Sequence, residues 1–288
     1  MAQTHLSTRV APNALPRLHL PRLRLGRLAL PTVGILGFAF LYIPIFVLIV
    51  FSFNSGSRMG QWEGFSLKWY ESVFQDRRIM ASFEVSLWVA LLSTVISTLL
   101  GTMVALALDR FRFRGRTTFD GILYLPVIIP DIVMALALLL FFSSVEMKLS
   151  RWTILLGHIA FSVSYVCVVV RARLATMDRR LEEAAADLYA SPFAAFRRVT
   201  LPLLMPGIIA GALMAFTLSI DEFVITSFIG GQGDTAIPVR IFSMLRFGLK
   251  PEINALAVII LMMSSVLVVF SLVMQNRGLK VQANYMGQ

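Results

Sequence analysis

Six runs of apolar sequence constrain this chain more than anything else in it. They lie near residues 32–53, 83–108, 118–142, 153–172, 202–228 and 254–275. Each is long enough, at ~1.5 Å per helical residue, to cross a hydrocarbon core ~30 Å thick. No water reaches such a core, so every backbone N–H and C=O in it must be satisfied internally. Runs of this length without strict alternation meet that demand as helices. The composition agrees, at 57% hydrophobic and 15% charged. The expectation is an all-α integral membrane protein with six transmembrane helices over residues 31–276. A basic tail (1–30) precedes them and a short tail (277–288) follows.

The basic residues orient the spans. The net charge of +10 would suit nucleic acid if it were gathered on one face, but the Lys and Arg residues are spread over the loops. Of the 26, seventeen fall on one side by alternate counting: Arg9, Arg17, Arg22, Arg24 and Arg27 in the tail, four in 110–116, six in 171–198, and Arg277 and Lys280. That excess places both termini, and the loops after the second and fourth spans, in the cytoplasm. The tail has no acid, and Pro12, Pro16 and Pro21 interrupt it. It reads as a flexible segment, free or touching anionic lipid headgroups. The single cysteine, Cys167, rules out an intrachain disulfide, and His5, His19 and His158 lack metal-ligand spacing. No Walker A glycine loop is present, so the chain is expected to bind neither ATP nor Mg itself. The outer loops are then 54–82, 143–152 and 229–253. The first, QWEGFSLKWYESVF, reads as an interfacial helix, and the third opens as a turn-rich loop through Gly230, Gly231 and Gly233.

Three acids fall at or within spans: Asp131, Asp221 and Glu222. Asp131 follows Pro126 and Pro130, which free backbone carbonyls and kink the span. A carboxylate facing lipid there costs a few kcal/mol. Asp221 and Glu222 are adjacent, so their side chains point ~100° apart and one of the two is expected to face a central path. One reading makes Asp131, Asp221 and Glu222 the lining of a cation path, suited to a linear polyamine with spaced ammonium groups. Phe216, Phe223 and Tyr165 would then be available for cation–π contacts. The other reading makes the acids caps of kinked helices, or partners of a second subunit.

Between the fourth and fifth spans lies the most polar long run, Glu182 to Pro202 within a loop at 178–202. Asp178 is placed as N-cap, with Glu182 and Glu183 in the first turn, where the helix dipole favours anions. Leu181, Ala184 or Ala185, and Leu188 recur at helical spacing. Pro192 is expected to end this helix, and Phe193–Thr200 to form a second short piece. The run resembles the cytoplasmic EAA loop of ABC-importer permeases, roughly E-A-A-x3-G-x9-I-x-L-P. Glu183, Ala184 and Ala185 match, Val199 stands for the isoleucine, and Leu201–Pro202 closes the motif. Tyr189 occupies the glycine position, a departure. The segments QWEGFSLKWY, RFRFRG, PDIVMA, TLSIDEFVITSF and LRFGLKPEINALA, in that order, resemble the spermidine/putrescine branch of these permeases over residues 31 to about 275.

The resemblance implies an inner-membrane type I permease with a five-helix core plus an N-terminal helix, and no catalytic residue of its own. It implies a second homologous permease, an ATPase dimer that binds ATP and Mg, a periplasmic substrate-binding protein and a polyamine substrate. Glu183, Ala184, Ala185, Tyr189, Leu201 and Pro202 would couple to the ATPase. A proton-coupled secondary transporter with Asp131 as carrier, or an ABC permease for another small substrate, are the rival readings. The first would call for inverted repeats, and none is evident.

Overall fold

The computed structural model describes residues 25–58, 60–247, 250–266 and 269. The basic tail up to residue 24, the last residues expected of the sixth span, and the C-terminal tail lie outside the described residues. The chain divides into two compact units, Met1–Val47 and Leu48–Gln288. The first contains most of helix α1 (Leu25–Ser52), whose stretch from Pro31 to Ser52 has a mean hydropathy of 2.7.

The second unit is helical, with one isolated antiparallel bridge, Asn54 to Phe65, among its described residues. Its helices are α2 (Lys68–Gln75), α3 (Arg77–Arg110), α4 (Arg116–Ile128), α5 (Asp131–Ser144) and α6 (Arg151–Ala175). After these come α7 (Arg180–Asp187), α8 (Pro192–Ala195), a π turn (Phe196–Thr200), α9 (Leu201–Asp221), α10 (Val224–Ile229), α11 (Ile237–Phe247) and α12 (Glu252–Val266).

Four helical stretches are long and apolar enough to cross a membrane, or five if the bent pair α4–α5 is one span. Two expected spans are therefore corrected. The span expected at 118–142 is broken after Ile128, and its halves meet at a bend of 110°. Pro130 is the cause: it lacks an N–H, and it disfavours helical geometry at Ile129, which is extended at ψ 134. The halves nonetheless reach well-separated levels of α6. Asp120 on α4 pairs with Arg171, whereas Leu138 on α5 abuts Gly157, about 21 Å away along the α6 axis at 1.5 Å per residue. The span expected at 202–228 stops at Asp221. Glu222 is extended at ψ 112, and α10 then starts as a separate helix at Val224.

The core lies where α3, α6 and α9 meet. In lipid, helices gain little from hydrophobic exclusion and associate through close packing at small residues. Gly101 on α3 and Gly211 on α9 both lie against Val166 of α6, which is fully buried. A Cβ built at Gly101 would stand 2.7 Å from the Val166 Cβ, so neither wall has room to spare. A second cluster around Phe142, Ile154, Phe161, Ile225 and Ile229 seats α5 and α10 against α6. A third, around Val73, Ile79, Ile237 and Leu256, joins α2, α11 and α12 to the start of α3.

The loop after α1 is ordered by one side chain. The buried Asn54 carboxamide donates to the Gln61 carbonyl and accepts from the Glu63 and Gly56 amides. The Trp69 indole donates to the Asn54 carbonyl at 2.9 Å. The helix expected in this loop is α2, fixed at its N-terminal turn. The later loop is turn-rich at its start, as expected. Gly231 lies directly against the Leu149 backbone carbonyl, where a Cβ has no room, and Gly233 adopts φ +91. From Ile237 the loop becomes α11.

Candidate functional site: a tethered loop and acids at helix breaks

The polar loop builds outward from α7. The N-cap position of α7 is Arg179 rather than Asp178, which stands one residue earlier and accepts from the Arg180 amide at 3.0 Å. Glu182 and Glu183 occupy the first turn as expected. The helix does not run to Pro192, however. It ends at Tyr189, whose φ is +59. The Tyr189 amide bonds the Ala186 carbonyl and the Ala190 amide bonds the Ala185 carbonyl, the paired bonds of a left-handed helix stop. That geometry favours glycine, which accounts physically for a glycine in the EAA pattern at this position. Here a tyrosine takes it, with its ring 98% exposed.

Pro192 begins the next helix. Ser191 caps it by accepting from the Ala194 amide at 3.3 Å. A proline in the first turn loses no hydrogen bond. Phe193–Thr200 is also not a separate piece. From Pro192 to Asp221 the chain is one continuous helical stretch of 30 residues, with the π turn at Phe196–Thr200 inside it. Leu201 and Pro202 lie within this stretch, where the π turn passes into α9.

The two adjacent glutamates differ. Glu182 accepts from Arg110 at 2.7 Å and from the buried Thr200 hydroxyl. Arg110 also lies over the Phe196 ring, 6.0 Å from its centroid. Beside this pair, one nitrogen of Arg179 donates to both oxygens of Asp109 at 3.0 Å. The end of α3 therefore holds α7 at two points, a role that counting Arg110 only as part of a positive loop overlooks. Glu183 is exposed and has no side-chain partner among the described residues. Leu181, Leu188 and Phe193 also turn outward, at 47%, 82% and 70% exposure. Ala184 is exposed as well, and Ala185 lines a cleft with Leu188, Tyr189, Ala194, Arg198 and Val199.

The acids gather at the two helix breaks. Asp131 is exposed in the first turn of α5. Glu222 is half-buried and accepts from the Ile225 amide at 2.6 Å, so it caps α10. Asp131 and Glu222 lie close enough for their charges to interact. Asp221 faces elsewhere, into an apolar cavity of about 290 Å³ lined by Phe83, Glu84, Leu87, Ile220, Pro238 and Met263 among others. The adjacent acids thus point apart at the end of α9, where Asp221 is helical and Glu222 extended. Glu84 is a second carboxylate in that cavity, which sequence reasoning passed over. None of Glu84, Asp131, Asp221 and Glu222 forms an ion pair among the described residues. Of the residues considered for cation–π contacts, Phe223 packs on Phe242 with ring centroids 4.8 Å apart, and Tyr165 packs edge-on against Phe161. Both act as packing groups. Asp120, also unremarked in the sequence, is already neutralised by Arg171.

Comparison with known proteins bears on both features. The spermidine/putrescine transport system permease protein PotC of Escherichia coli strain K12 is 44% identical over 235 residues, covering 81% of this chain and 89% of that one. The putrescine transport system permease protein PotI of the same strain is 43% identical, covering 79% and 83%. Among solved structures, a bacterial ABC transporter that imports the acidic polysaccharide alginate shares the fold at a TM-score of 0.69. It is 18% identical and covers 89% of this chain and 95% of its own. Residues 97–278 match the family described as binding-protein-dependent transport system inner membrane component, and the chain belongs to that family.

Proposed function

We propose that this permease carries polyamines, putrescine or spermidine, as one half of the translocation path of an ATP-driven importer. The observation that carries the reading is the set of carboxylates at the α4–α5 and α9–α10 breaks, unpaired with any basic side chain among the described residues. Bare acids at membrane depth are costly unless a cation visits them. The names and close similarity of the two bacterial relatives support the same substrate class.

In this reading a second, similar permease completes the path. The core is of type I, with five helices plus α1 on the N-terminal side, and both termini lie in the cytoplasm. A binding protein delivers substrate to the outer loops at 54–82 and 229–253. The amine meets Asp221 in its cavity and then Asp131 and Glu222 at the opposed break. The methylene stretches of a linear amine suit the apolar walls around Asp221, and its ammonium groups suit the carboxylates. ATP and Mg belong to the partner ATPase. Glu183, Ala184, Ala185 and Tyr189 present the docking face, while Leu201 and Pro202 pass its motion into α9. A partner shifts the permease between states only through different affinity for each.

The test is uptake of labelled putrescine and spermidine into cells expressing the chain with its partner permease, ATPase and binding protein. The expected result is uptake that requires an active ATPase and falls about tenfold or more in Asp221→Asn. Uptake independent of the ATPase but abolished by collapse of the proton gradient would overturn the ATP-driven reading. ATPase-dependent assembly that moves neither amine would overturn the substrate.

A further inference from the structure

The buried ring of His158 has no part in the path just described, yet it occupies a telling place. It lies on α6 and is 2% exposed. Its Nδ1 is 2.7 Å from the Ser219 hydroxyl on α9, and its Nε2 is 2.9 Å from the Thr226 hydroxyl on α10. Ser219 and Thr226 stand on opposite sides of the break that carries Asp221 and Glu222. One imidazole therefore spans that break.

The hydrogen bonds run in one direction. Ser93 donates to the Ala90 carbonyl at 3.2 Å, so its oxygen is left to accept from Ser219, 3.0 Å away. Ser219 has then used its proton and accepts from Nδ1–H. Nε2, without a proton, accepts from Thr226. A hydroxyl has one proton to give, so this order satisfies every group and assigns the neutral ring with hydrogen on Nδ1. A second contact from α6 reaches the far end of α10: the Thr153 hydroxyl lies 2.7 Å from the Ile229 carbonyl and 2.7 Å from the Ser150 carbonyl, which compete for its one proton.

We propose that His158 is a positioning residue for the transported cation, fixing the α9–α10 break so that Asp221 and Glu222 are held at set directions. The inference rests on the acidic-path reading above. The imidazole touches neither acid; it acts through Ser219, two residues before Asp221, and Thr226, four residues after Glu222. Removing it leaves two buried hydroxyls without their partner and frees the hinge between them.

The test uses the full complex and the ratio of putrescine to spermidine uptake, which does not depend on how much permease reaches the membrane. His158→Ala and Thr226→Val are each expected to change that ratio about threefold or more, with the double variant no worse than either alone. His158→Gln, whose amide oxygen and nitrogen can reach both hydroxyls, should restore it. Equal loss of both uptake rates, in proportion to the permease present, would reduce His158 to a packing residue and overturn the proposal. If the wild type moves neither amine, the polyamine reading fails, and labelling decides the inference instead. In a Cys167→Ser, Phe223→Cys background, His158→Ala should alter the rate of modification by a water-soluble maleimide about fivefold. An unchanged rate would overturn the pin itself.

Discussion

At the scale of single residues, Tyr189 shows how local geometry and exposure separate. Its backbone is left-handed, which costs a non-glycine residue about 1 kcal/mol, and its ring contributes nothing to the fold in return. Tyr189→Gly should therefore tighten the end of α7, slowing hydrogen exchange of the Ala190 amide about fivefold. If the exposed ring belongs to the docking face, the same variant weakens association with the ATPase although the loop is better formed. Much at this scale was legible in advance. The acids in the first turn of α7 follow from local rules, and the departure at position 189 follows from the EAA pattern. The pairs His158–Ser219, Arg110–Glu182 and Asp109–Arg179 were not legible, because they join residues some sixty to seventy positions apart and exist only once the helices have packed.

At the scale of elements, the prolines explain both the successes and the errors of sequence reading. The kink at Pro130 was foreseen, but not its size. Periodicity records that a stretch is apolar, not that its halves diverge by 110°. Pro192 was read as a terminator because proline ends helices, yet it equally starts them, and only the Ser191 cap decides between the two. The tether from α3 to α7 yields a sharper prediction. Its ion pairs are partly exposed, so each contributes at most about 1 kcal/mol to stability. Asp109→Arg should therefore leave the protein folded but lower the amine imported per ATP hydrolysed. Adding Arg179→Asp should recover that ratio by reversing the pair. Loss of folded protein in the single variant, or no recovery in the double, would count against a mechanical role for the tether.

At the scale of the whole permease unit from Leu48 onward, packing at Val166 limits what α3, α6 and α9 can tolerate. Gly101→Ala should cost ~1–3 kcal/mol by overpacking, read as a lower melting temperature in detergent, and Val166→Ala should return little of it, because the Val166 Cβ and the Val163 carbonyl both stay within 3.0 Å of the added methyl. The continuous stretch from Pro192 to Asp221 has a different kind of consequence. At 1.5 Å per residue it is about 45 Å long, and it carries the exposed cleft of the loop at one end and a cavity carboxylate at the other. Two binding events on one continuous element obey thermodynamic reciprocity: whatever factor the first applies to the affinity of the second is returned unchanged. An amine held at Asp221 should then alter how tightly the ATPase grips Leu188 and Phe193 by the same factor that the ATPase alters the hold on the amine. On the proposed function, cargo would then have a vote in the engagement of its own motor.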